Sequence, residues 1–418
     1  MAAILSELLL PQAILDVISR IKGGRGPLST WLGFQPKGFD PDNVSLTGPN
    51  VLRDPAGVRG GGGGSLRYYT YRIFDHTRTT LKLRAPGTGP GTISQQPMGQ
   101  NTVVVCRFHD KIPLNYEFLG NLSPMVGPNS QIDPAGQSYV MQMEEALARK
   151  GHQTIEVLAA GMMRDSLYMV QVGDDWWPQF AAPTGTQIGF QVPFQVPSGN
   201  KAQLNMLGAG NILTVPWNNP GSLILSNCEQ IKAAYVQLSG YPLTDDWINS
   251  TLWPAIISNT QIRNAAGTAN KPFAEYKRVD EGGMEGTGPA NQFSAEIVGI
   301  PWLKWHFCDD VVVLNSDIDV SYLPIPAGSV PAAANVAKLV PDNLCIFTTQ
   351  PSPGDWCRLI EGGEYVVENE GMPGALRTGW YAWHQYVTQP SQIELIVLLN
   401  CVPALYRPNV LAPATVIF

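Results

Sequence analysis

His306, Cys308 and Asp310 alternate along the segment WHFCDD, with Asp309 beside them. On a β-strand every second side chain shares a face, so a nitrogen, a sulfur and an oxygen donor would project together, a set suited to zinc. The same residues also read as a strand end running into an acidic turn. No second ligand group at metal spacing accompanies them, so the strand-end reading is preferred and no metal is expected.

Adjacent acids stand at Glu144–Glu145, Asp174–Asp175 and Asp245–Asp246. Glycosidase chemistry needs two carboxyl groups facing one another across a cleft, and sequence neighbours on a strand point apart. Asp245 and Asp246 read as the first turn of a helix beginning at Thr244, where the helix dipole favours carboxylates. His76, His109, His152 and His384 have no assignable serine or cysteine partner, and no GxSxG elbow occurs. The glycine run Gly60, Gly61, Gly62, Gly63, Gly64 is followed by Ser65 and Leu66 with no lysine in register, so it is not a phosphate-binding loop. The expectation is a protein without catalytic residues or cofactor.

The elements that would position these residues are mostly strands. Of 418 residues, 44% are hydrophobic and only 15% charged, against about a quarter in ordinary soluble domains. The chain also carries 42 glycines and 35 prolines without a period, which suits β-structure with long ordered loops. Low charge with 11 tryptophans fits a surface largely covered by partners. The net charge of −7 is uneven: residues 1–118 hold 13 Lys and Arg against 8 Asp and Glu, the remainder 14 against 26. A basic front and an acidic back attract each other, between copies as well as within one. The cysteines Cys106, Cys228, Cys308, Cys345, Cys357 and Cys401 are scattered, and are expected to be reduced, buried thiols of a cytosolic protein. No run of 18 or more apolar residues predicts a membrane span.

Residues 1–22 carry an apolar stripe (Ile4, Leu8, Ile14, Leu15, Ile18) interrupted by Pro11, without a basic leader region. They predict one or two short docking helices rather than a secretion signal. Residues 23–65 read as an extended arm anchored by Trp31, Phe34 and Phe39. A hairpin follows. Tyr69, Tyr71 and Ile73 alternate with Tyr68, Thr70 and Arg72; in TRTTLKLRA, Leu81 and Leu83 oppose Arg78, Lys82 and Arg84. Period two with a basic outer face predicts two long strands, the second returning through TVVVCRFHDKIPL. The basic face could take nucleic acid, but an acidic surface on another copy is the preferred partner, since a two-stranded hairpin needs something to lie on. The glycines Gly60 to Gly64 are read as its hinge.

Asp133 as N-cap and Pro134 at the first helical position open a helix of roughly 30 residues to Met163, about 45 Å long, with Gly151 as a bend point. SLYMVQVGDDWWPQF and TQIGFQVPFQV read as strands. SNCEQIKAAYVQLSG reads as a helix from Ser226 or Asn227 to Gly240, and LPIPAGSVPAAANVAK as loop. The near-continuous apolar run QIELIVLLNCVPALY fits a central strand.

This order of parts resembles the major capsid proteins of tailed bacteriophages, the Hong Kong 97-type fold, and within it the lambda-like branch. The stretches that carry the likeness are FDHTRTTLKLRAPGTGPGTISQQPMGQNTVVVCRFHDKIPL, the helix from Asp133 to Met163, VPDNLCIF and the closing QPSQIELIVLLNCVPALYRPNVLAPATVIF. The resemblance implies an α+β fold: an N-terminal arm (1–65), an extended loop (66–115), a peripheral domain with a spine helix (116–200), an axial domain (201–340) and returning peripheral strands (341–418). It implies hexamers and pentamers of this chain in an icosahedral head around double-stranded DNA, with Arg72, Arg78, Lys82 and Arg84 on a neighbouring subunit and the arm reaching another. Portal and scaffolding proteins, a decoration or cement protein, and non-specific contact with packaged DNA are the implied partners; no membrane is. The implied location is the virion, assembled in the host cytoplasm. A carbohydrate-binding or carbohydrate-active β-rich protein, and a nanocompartment shell, are the alternatives.

Overall fold

The computed structural model describes residues 14, 26–35, 38–40, 45–47, 49–53, 58–60, 67–73, 99–114, 134–172, 175–202, 213–269, 272, 274–278, 293–314, 336–352, 356–366, 375–388 and 391–417. The fold is α+β, with two large sheets and a long helix.

The larger sheet is organised by strand Ser391–Leu405, which pairs antiparallel with Trp380–Thr388, with Cys357–Glu361 and with Gly99–Leu114. Its residues from Ile393 to Leu405 are all buried, so the apolar run seen in the sequence is that of a strand covered on both faces. The sheet continues from Gly99–Leu114 to Arg67–Ile73 and Val58–Gly60, and ends on the other side with Val51–Arg53, parallel to Cys357–Glu361.

The long helix Pro134–Met163 packs on this sheet. Every residue from Ile155 to Met163 is buried, whereas the preceding turns alternate between exposed and covered. The helix ends where Asp165 takes a left-handed backbone conformation (φ 50°) and the Ser166 N–H donates to the Gly161 carbonyl at 2.9 Å. It runs unbroken through Gly151. There the missing Cβ makes room for the Trp380 indole, so this glycine is a packing site rather than a bend.

The second sheet has the order Ala274–Arg278, Phe293–Ile297, Lys304–Phe307, Asp245–Ile248, Leu344–Thr348, Ala412–Thr415. Alternate side chains serve two cores. Trp247 and Ile346 face the core of the larger sheet; Ile248, Trp305, Cys345 and Phe347 face a second core with Cys228, Ile231 and Tyr235 of helix Ile224–Ser239. That helix stops at Gly240 in a left-handed conformation (φ 79°), as its C-terminal glycine foretells. A small three-stranded sheet joins Asp175–Gln179, Tyr168–Val172 and Gly189–Gln191.

Several expectations are corrected. No helix starts at Thr244: Asp245–Ile248 is a strand, hydrogen-bonded on both sides and wholly buried, and it is followed by a 3-10 turn at Ser250–Leu252 and helices at Trp253–Ile257 and Thr260–Ala269. Pairing on two flanks overrides the helix-like opening TDD. The arm is not simply extended, since Pro27–Trp31 is a short helix with proline at its first position. Val336–Lys338, read as loop, pairs with Val311–Val313. Strands Leu344–Thr348 and Ala412–Thr415 complete the second sheet, so a domain border at 340 would cut through it. The helices expected in residues 1–22 lie outside the described residues except Ile14, which is helical and buried.

Candidate arm-docking site and assembly interface

The base of the predicted hairpin is built by Arg67–Ile73 against Gly99–Val105. Strand alternation puts Tyr69 and Tyr71 inside and leaves Tyr68, Thr70 and Arg72 exposed. The inner tyrosines are tied to the body. Tyr69 and Tyr406 share a hydroxyl–hydroxyl bond at 3.1 Å, and the Tyr71 hydroxyl accepts from Asn101 Nδ2 at 2.8 Å and from the Leu405 N–H at 3.3 Å. Asn101 in turn donates to the Pro193 carbonyl at 2.7 Å. Of the four basic residues foreseen, Arg72 stands on the exposed face opposite Gln100; Arg78, Lys82 and Arg84 lie outside the described residues.

Gly60 is the last residue of strand Val58–Gly60, which pairs antiparallel with the first hairpin strand, Gly60 opposite Arg67. The glycine run therefore connects two paired strands. Gly61, Gly62, Gly63 and Gly64 lie outside the described residues.

The arm segment 26–35 docks on its own chain. Leu28, Leu32 and Phe34 are buried. Glu156, near the start of the buried stretch Ile155–Met163 of the long helix, receives the Leu28 N–H on Oε1 (2.9 Å) and the Ser29 N–H on Oε2 (2.8 Å). These are first-turn amides with no partner inside their own helix. Burial pushes the Glu156 carboxyl up to about 7, against the pull of those donors. One turn earlier, His152 Nδ1 lies 2.7 Å from Gln35 Oε1, and its ring meets Trp380 edge-on.

Trp31 reaches further. Its ring packs within 5.5 Å of Trp247 and 6.0 Å of His306 in the second sheet, and 6.4 Å of Trp356. His306 stacks on Trp247 and places Nε2 2.7 Å from Asp245 Oδ1, both side chains buried. The third anchor, Phe39, belongs to strand Gly38–Asp40, paired with Ser45–Thr47.

The candidate metal set is thus separated. His306 is committed to Asp245, Asp309 receives the Ser250 N–H at 2.7 Å, and among the described residues no three such side chains converge on an ion. The acid pairs also diverge. Asp245 faces His306, while Asp246 points into the second core. There its carboxyl finds no hydrogen bond of ordinary geometry, and burial holds it well above the usual carboxylate range. Glu145 pairs with Arg149, while Glu144 turns inward and burial pushes it up to about 7. Asp175 is the exposed first residue of strand Asp175–Gln179, and Asp174 lies outside the described residues. His109 stacks on Trp383; His76 lies outside the described residues. Sequence reasoning missed Glu156 and Gln35. The available signal was one acid inside the apolar stretch IEVLAAGMM, a position that demands a partner.

Comparison with solved structures gives low-identity likenesses over most of the chain. A protein described as a putative capsid protein of a prophage of E. coli CFT073 is 10% identical with a TM-score of 0.48, the match covering 100% of this chain and 99% of that one. The capsid of Ralstonia phage GP4 is 9% identical at TM-score 0.40, covering 94% and 92%. An encapsulin complex of Synechococcus elongatus PCC 7942 is 9% identical at TM-score 0.37, covering 88% and 85%. No protein-family model and no curated sequence matches the chain.

Proposed function

We propose that this chain is a major capsid protein of the tailed-phage type, a structural subunit whose hexamers and pentamers build an icosahedral head around double-stranded DNA. One observation carries the reading: the clamped base of a long hairpin leaves the same sheet that supports the 30-residue helix. The outer face of the hairpin base is exposed at Tyr68, Thr70 and Arg72, and the acidic remainder of another copy supplies a surface for it. The long helix and larger sheet serve as peripheral domain, and the second sheet with its helices as axial domain. Portal, scaffolding and cement proteins, and loose contact with packaged DNA, are partners of that role. The virion is its location, reached after assembly in the host cytoplasm.

The test is size exclusion of the protein co-expressed with its scaffold. Wild-type protein elutes as capsomers or particles far above its 45.4 kDa chain mass. The variant with Arg72, Arg78, Lys82 and Arg84 all changed to Glu stays unassembled. Normal particles from that variant would remove the electrostatic docking idea, and a wild-type monomer would remove the shell reading.

A further inference from the structure

Cys106 and Cys401 stand directly opposite one another in the antiparallel pairing of Gly99–Leu114 with Ser391–Leu405. Opposed residues in such a ladder have Cα atoms about 4.5 to 5.5 Å apart, inside the span of about 4.4 to 6.8 Å that a disulfide needs. Their side chains leave the sheet on the same face. Both thiols are free and buried, Cys106 being the more open at 8% exposure against 0% for Cys401. The geometry points to Cys106 and Cys401 as an oxidative modification site, a latent cross-strand disulfide that fastens the strand leaving the hairpin to the central strand.

The oxidant is a low-molecular-weight disulfide such as glutathione disulfide. The Cys106 thiol gives up its proton and attacks one sulfur of the oxidant, releasing one thiol. Cys401 then attacks the mixed disulfide at Cys106, releasing the second. One protein S–S bond forms, two S–H bonds are lost, and the oxidant's S–S bond becomes two thiols. Entry is through Cys106. Burial pushes its thiol up to about 12, so the exchange runs over hours at mildly alkaline pH rather than in minutes. The staple closes most of the chain into a loop and restrains the unfolded state. This inference does not depend on the shell reading.

The experiment is incubation of the folded full-length protein with glutathione and glutathione disulfide at mildly alkaline pH. Remaining thiols are then blocked, and trypsin peptides are mapped without reduction. The expected product joins the peptide spanning residues 85–107 to that spanning 378–418. It disappears in Cys106→Ser and in Cys401→Ser, and the oxidised wild type melts a few degrees higher. A dominant bond between Cys228 and Cys345, or no protein disulfide while the same buffer oxidises the unfolded chain, would overturn the assignment.

Discussion

Glu156 and Gly26 meet so closely that a Cβ on the glycine would overlap the carboxyl group, which is occupied with the Leu28 and Ser29 amides. The contact fixes the arm at Gly26–Ser29 to the C-terminal half of the long helix. It implies that residues 26–35 are part of the subunit's own core, whatever the preceding residues do.

Gly26→Ala should therefore loosen the arm. Either the carboxyl group or the backbone has to move, at a cost of about 1 to 3 kcal/mol. Limited proteolysis should cut near the arm helix faster than in wild type, while far-ultraviolet circular dichroism stays unchanged.

Glu156 also sets a pH dependence. Its folded carboxyl lies near 7 against 4.5 in the unfolded chain. Between those values the unfolded chain ionises first, so stability falls as pH rises, by on the order of 3 kcal/mol in total. Glu156→Gln should flatten this slope in denaturant titrations across the window. It should also lower stability at the acid end, because an amide NH2 replaces one acceptor. An unchanged slope would show that Glu156 does not titrate there.

Asp246 behaves likewise, burial outweighing the weak pull of the Trp247 and Ile346 amides and the Cys345 thiol. Its carboxyl is neutral in the folded state at pH values where the unfolded chain is charged, which favours unfolding by about 1.4 kcal/mol per pH unit above the unfolded value. Asp246→Asn should thus gain stability relative to wild type as pH rises above the ordinary carboxylate range, measured by chemical denaturation. A pH-independent difference would contradict the assignment.

Gly151→Ala sets two effects against each other. Alanine favours a helix interior by about 1 kcal/mol. The Trp380 ring, however, lies within 2.7 Å of the new methyl at its Cη2 atom, and neither the strand nor the helix can withdraw cheaply. Net destabilisation and a changed tryptophan fluorescence are expected; a stabilised variant would show that the sheet yields.

What could be read in the sequence followed how local its cause was. Pro134 and helical periodicity announced the long helix, and the run from Ile393 to Leu405 announced a strand covered on both faces. Asp245–Ile248 misled because its strand state comes from Lys304–Phe307 and Leu344–Thr348, both distant in sequence. The same is true of the arm: Trp31 and Phe34 were legible as anchors, but the docking of this segment on its own chain depends on distant residues, Glu156 for the Leu28 amide and Trp247 and Trp356 for the Trp31 ring. Arg72 was placed on an outer face by simple alternation, and it is exposed.

Negative-stain electron microscopy of the purified protein tests the central claim most directly. Closed, roughly icosahedral shells or rings of five and six subunits are the predicted result. A stable monomer that forms neither at any concentration or ionic strength would contradict it.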